Sequence, residues 1–129
     1  MKIEDTISES NATIVETTDL HISPGFFDIG THIGDPGFEN REDMASGMKA
    51  ASAGGFTGMA ILPNSQPTTD SKSTIEYIKN RAKDNLVDVF ALGCITPKAK
   101  GETLAELYDM HENGAVGFTD GLNAMQHSG

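Results

Sequence analysis

Asp28, His32 and Asp35 are three side chains able to bind a cation or move a proton, and they close the apolar run that begins at Phe26. Imidazole and carboxylate are donors that divalent zinc accepts. Farther along, Asn64, Thr96 and Asp120 each stand at or just past the end of another short apolar run. Polar groups at four such ends carry more weight than any one of them. His32 alone serves equally well as a hydrogen-bonded structural side chain, and its case as a ligand rests on Asp28 and Asp120 sharing its rim. The other histidines read differently. His21 precedes the regular pattern and His127 lies in the tail, both expected to be exposed. His111 falls near a helix C-terminus, where it complements the helix dipole.

The elements that must position these groups repeat. Strands are expected over residues 25–33, 57–62, 87–95 and 115–119, so they begin at intervals of roughly 30 residues, the size of a βα unit. A helix follows the first strand, with Asn40 as N-cap, Met44, Met48 and Ala51 on one face, and Gly54-Gly55 as its stop. The second helix is capped by Asp70 or Ser71 and carries Ile75, Ile78 and Ala82 at helical spacing. The third covers residues 102–112, buries Leu104, Leu107 and Tyr108, and ends at Asn113-Gly114. Continuous apolar strands alternating with amphipathic helices imply an α/β fold with a parallel sheet covered by helices. Sites in such folds gather in the loops after the strands. Residues 1–21 are polar, with one short strand expected over 12–16.

Composition narrows the function. Nine Lys and Arg against 19 Asp and Glu give a net charge of −10. That balance argues against nucleic acid or an anionic membrane surface as partner. The single cysteine, Cys94, excludes an internal disulfide, fits a reducing compartment and reads as a small buried hydrophobe. No apolar run approaches the ~20 residues of a membrane span, and the polar N-terminus is unlike a signal peptide. A cytoplasmic location is expected.

The segment Pro24-Gly25-Phe26-Phe27-Asp28-Ile29-Gly30-Thr31-His32-Ile33-Gly34-Asp35-Pro36-Gly37 resembles the first barrel strand of the amidohydrolase superfamily. The dihydroorotase pattern there is Pro-Gly-x-x-Asp-x-His-x-His-x-Arg-x-Pro-Gly. Gly54-Gly55-Phe56-Thr57, Leu62-Pro63-Asn64-Ser65-Gln66-Pro67 and Phe118-Thr119-Asp120-Gly121 resemble further dihydroorotase segments, in the same order. The resemblance covers about residues 22–126. It implies the first four strands of a TIM-type (β/α)8 barrel, a fold that needs about 250 residues when complete.

Carried over position by position, the resemblance makes His32 and Asp120 metal-binding residues, with zinc as cofactor, and makes Asn64 a contact for the substrate carboxylate. Gly30 stands in place of the first metal-binding histidine, Gly34 in place of a substrate-binding arginine, and Gly121 in place of a second aspartate. Histidines at i and i+2 project from one face of a strand and can share an ion; glycine cannot ligate. The implied activity is reversible hydrolysis of dihydroorotate to carbamoyl aspartate, a step of pyrimidine synthesis. No catalytic residue is assigned, because the resemblance places the catalytic aspartate on an eighth strand. The alternative is a non-catalytic homologue supporting aspartate carbamoyltransferase. Residues 1–21 are expected to be a polar lead-in or the remnant of a small β domain, and residues 22–129 a partial amidohydrolase barrel belonging to a longer protein. Open edges at the first and fourth strands predict self-association.

Overall fold

The computed structural model describes residues 10–15 and 17–125 of the 129. Four strands, β1 (Phe26–Thr31), β2 (Phe56–Ile61), β3 (Asp88–Gly93) and β4 (Ala115–Phe118), form one sheet in sequential order. Every neighbouring pair is parallel. Three helices connect them: α1 (Met44–Ala53), α2 (Lys72–Arg81) and α3 (Leu107–Glu112). A 3-10 turn, Pro97–Ala99, precedes α3. The expected α/β repeat is present, with strands starting within one residue of their anticipated places. The fold is that of the first four strands of a TIM-type barrel.

Burial follows the helix-facing side of the sheet. Met44 and Met48 from α1, Ile75 and Ile78 from α2 and Met110 from α3 pack on Met59, Ile61, Ala91 and Ala115. The opposite side is left open. Phe27 and Phe90 meet there with ring centroids 5.6 Å apart, while Ile29 stays 81% exposed. In a closed barrel that side faces the interior, which explains why Phe27 and Ile29 of β1 are apolar although they meet solvent here.

Several boundaries differ from the sequence expectation. The N-cap of α1 is Asp43, whose carboxylate accepts from Ser46 N at 2.7 Å while Ser46 Oγ accepts from Asp43 N at 3.1 Å. This reciprocal capping box displaces Asn40 as the start. Its cause also sets the carboxyl chemistry: the backbone and hydroxyl of Ser46 hold the Asp43 pKa below its usual value. Ser71 caps α2 by position only, its hydroxyl pairing with Ser73 and Thr74. The third helix is shorter than expected, because Gly101 to Glu106 form a turn and loop. Leu104 is therefore 71% exposed and Tyr108 is exposed, and Met110 fills the core position instead. Residues 12–15 form no strand; residue 16 and His127 lie outside the described residues.

Candidate functional site

The loops after the four strands are fastened to one another in series. Pro36 O, after β1, accepts from Gln66 N at 3.0 Å. The β2 loop is held to the turn after β3 by the Asp70 carboxylate, which accepts from Lys98 N at 2.9 Å. Asn64 ties the β2 loop to the β4 loop twice: Nδ2 donates to Asp120 O at 3.2 Å and Oδ1 accepts from Leu122 N at 3.1 Å. Asp120 in turn grips Thr96, accepting from its N–H at 3.0 Å and from its hydroxyl at 2.6 Å. Thr96 Oγ1 then accepts from Gly101 N at 2.8 Å. A rim whose loops brace one another is what a site needs to hold side chains in place.

Between these loops lies a cleft of about 570 Å³. Phe38 stands on its β1 side, with Asn64, Gln66, Thr68 and Asp70 from the β2 loop, Lys98 and Ala99 from the β3 turn, and Asn123 beyond β4. Phe38 is itself covered by Arg41, whose guanidinium carbon is 4.7 Å from the ring centroid. The lining combines amide donors and acceptors with one carboxylate and one ammonium. Such a surface can bind a small polar ligand with several directed hydrogen bonds.

The sequence candidates are distributed unevenly about this cleft. Asn64 lines it, and Asp120 sits directly behind Asn64, 3% exposed, with both carboxylate oxygens engaged by Thr96. His32 is exposed and is not among the lining residues. Asp28 turns toward α1, where it borders a smaller cavity with Thr31, Glu42, Gly47 and Met59. In that region Thr31 Oγ1 is buried without a hydrogen-bond partner among the described residues.

Asp35 has a structural task. It is fully buried and accepts from Tyr77 Oη at 2.7 Å, from Arg81 Nε at 3.2 Å and Nη2 at 3.1 Å, and from Met44 N at 3.2 Å. Both its oxygens are used, so it is no free ligand. The same bond pushes the Tyr77 phenol pKa up, since ionising it would remove the donor and set a second anion beside the carboxylate. Arg81 and Tyr77 carried no sequence signal for this role, because the pairing spans 42 and 46 residues.

A zinc ion implied by the family pattern does not fit this donor set. Gly30 offers no ligand, His32 is exposed and does not line the cleft, and the Asp120 oxygens already accept from Thr96. Among the described residues no three His, Cys, Asp or Glu side chains converge on a common point. The other two glycine positions are closed sterically. A Cβ at Gly34 would collide with the Phe38 and Glu42 carbonyl oxygens, and one at Gly121 with the Asn64 side chain. Gly30 is different: it has φ +140 and open space around a Cβ. Larger residues are thus barred at Gly34 and Gly121 by the same packing that fixes the rim.

Residues 20–129 match the family model described as dihydro-orotase-like. The dihydroorotase of Geobacter sp. (strain M21) is 47% identical over 107 residues, which are 82% of this chain and 25% of that protein. The dihydroorotase of Syntrophotalea carbinolica is 42% identical over 122 residues, 94% of this chain and 29% of the relative. Among solved structures, L-hydantoinase (dihydropyrimidinase) from Arthrobacter aurescens superposes with a TM-score of 0.62 at 31% identity, covering 74% of this chain and 21% of the other. The chain thus spans about a quarter of the length of these proteins.

Proposed function

This chain belongs to the dihydro-orotase-like family, and from that premise we propose that it supplies the first four βα units and part of the substrate-binding rim of a dihydroorotase-like cyclic amidohydrolase. The reaction of this reading is reversible hydrolysis of dihydroorotate to carbamoyl aspartate, in cytoplasmic pyrimidine synthesis. The observation that carries it is the placement of Asn64. Its amide is clamped at both ends by the β4 loop and still faces the cleft, as a contact for a substrate carboxylate requires. One Nδ2 hydrogen remains for a ligand after the bond to Asp120 O. Fixing that amide before the ligand arrives removes part of the ordering cost of binding.

The residues of this chain therefore bind and orient. His32 and Asp120 are the metal positions of the family pattern, and zinc the cofactor it implies, but no reaction step is assigned through them because among the described residues no three donor side chains converge. Gly30 and Gly34, standing in place of the family's histidine and arginine, support a second reading, a homologue that keeps the rim without the chemistry and acts as a structural partner, for which the family pattern suggests aspartate carbamoyltransferase. The open β1 and β4 edges, together with the apolar side bearing Phe27 and Ile29, would also support self-association; light scattering of the purified chain reads that directly.

Calorimetric titration with dihydroorotate, and ultraviolet absorbance of its ring opening with zinc added, test the readings together in the full-length protein. Turnover at rates typical of enzymes supports the hydrolase. Binding without turnover supports the non-catalytic homologue. Absence of both refutes the assignment of the cleft.

A further inference from the structure

Among the described residues the cleft is lined by one cationic side chain, Lys98, and one anionic one, Asp70. Among the described residues the Lys98 ammonium has no hydrogen bond or ion pair. Its backbone is unusual as well. Lys98 has φ 57 and Ala99 φ 52, two successive non-glycine residues in the left-handed region. Such backbone is disfavoured by contact between Cβ and the following carbonyl, and it persists only where its surroundings fix it.

Three bonds do so here. Asp70 Oδ2 accepts from Lys98 N at 2.9 Å, Thr96 O accepts from Ala99 N at 2.9 Å, and Asn123 Nδ2 donates to Ala99 O at 3.2 Å. The turn thus holds the base of a solvent-accessible ammonium at the cleft wall. The bond to Lys98 N occupies Asp70 Oδ2 and leaves Oδ1 without a bond among the described residues. Strained turns of this kind cluster at ligand clamps.

We propose that Lys98 determines specificity for ligands bearing a carboxylate. Its ammonium pairs with that carboxylate, while Asp70 Oδ1 accepts an N–H from the ligand's amide or ureide. The proposal rests on the cleft reading given above and adds the charge selection that reading lacks. Neither Asn64 nor Gln66 nor Asn123 carries charge, so beside the neutral amide contact of Asn64 a carboxylate gains from Lys98 the one cationic contact among the described lining residues.

Calorimetric titration of the protein and its Lys98→Asn and Lys98→Arg variants with three probes tests this: dihydroorotate, dihydrouracil (the same ring without the carboxylate) and succinate. Asparagine tolerates the left-handed backbone, so the first variant keeps the turn while losing the charge. The unaltered protein should prefer dihydroorotate to dihydrouracil by about tenfold, the scale of one charged hydrogen bond. Lys98→Asn should cut that preference to the small remainder that the neutral Asn64 amide supplies, with dihydrouracil binding unchanged, and Lys98→Arg should retain it in full. The preference should also shrink with added salt, because the pair is exposed. A preference as large in Lys98→Asn as in the unaltered protein overturns the proposal while leaving the cleft reading intact. Succinate binding lost in Lys98→Asn, with neither ring bound by any form, upholds Lys98 as an anion site and removes the dihydroorotate reading. No binding of any probe overturns both.

Discussion

Replacing Asp35 tests whether the β1 loop is held by α2. The carboxylate is fully buried and receives a phenol, a guanidinium and the first backbone N–H of α1. In Asp35→Asn the amide oxygen can still face Met44 N and Arg81, and its Nδ2–H can donate to the Tyr77 oxygen by reversing that bond. Only the charge is lost. Hydrogen bonds to a charged group contribute about 1.5–3 kcal/mol, and the Arg81 side chain is 49% exposed and can return to water. A net cost of about 2 kcal/mol is therefore expected for Asp35→Asn. Asp35→Ala removes every acceptor and leaves the Met44 N–H without its side-chain partner in the interior, so it should cost about 4 kcal/mol. That is a large part of the 5–15 kcal/mol that small domains typically have. Urea unfolding followed by circular dichroism gives both values from the shift in midpoint at constant slope. Tyr77→Phe, with a smaller expected cost of about 1 kcal/mol, should add no further loss in the Asp35→Ala background. An Asp35→Ala variant within 0.5 kcal/mol of the unaltered chain would show that the network is not what holds the loop.

Met110→Ala should destabilise by about 2–4 kcal/mol through the cavity it leaves, whereas Leu104→Ala should stay within about 0.5 kcal/mol because that side chain is exposed; thermal or urea unfolding of the pair decides between the structural and the periodicity-based placement of the third helix. Gly30→His adds a single donor where, among the described residues, no three His, Cys, Asp or Glu side chains converge, so it should not raise zinc content, measured by elemental analysis after dialysis; stoichiometric uptake would refute the reading of the donor set. The backbone there, at φ +140, should also make that variant less stable by about 1–3 kcal/mol. Burial, aided by the charges of Asp120 and Asp70, pushes the Cys94 thiol from 9.0 up to about 12. The folded form therefore favours the protonated thiol, and this contribution is complete below pH 9.0 and is lost as pH rises toward 12. Iodoacetamide labelling at mildly alkaline pH should be negligible until urea unfolds the chain; rapid labelling without urea would contradict the burial.

The sequence alone determined the repeat. Ile75 and Ile78 at helical spacing, the apolar runs at β1 to β4 and the glycines after α1 and α3 are local signals, each readable within a single element, and together they imply the parallel α/β arrangement that the structure has. Local signals misled where two plausible local choices competed. Asn40 and Asp43 are both good caps, and the bond to Ser46 chose the second. Leu104 lies at helical spacing from Tyr108, but Gly101 to Glu106 take up the turn that follows Lys98. Only the tertiary structure decided which polar side chains were still available for a ligand. Asp35 is consumed by Arg81 and Tyr77, Asp120 by Thr96, and Asn64 is set by Asp120 and Leu122, partners 24 to 58 residues away in the chain. Hydrophobic period is a property of neighbouring residues, so it survives in the sequence. Hydrogen-bond partnership across loops depends on where four separate strands end, and that is fixed only when the sheet has formed and its helices have packed.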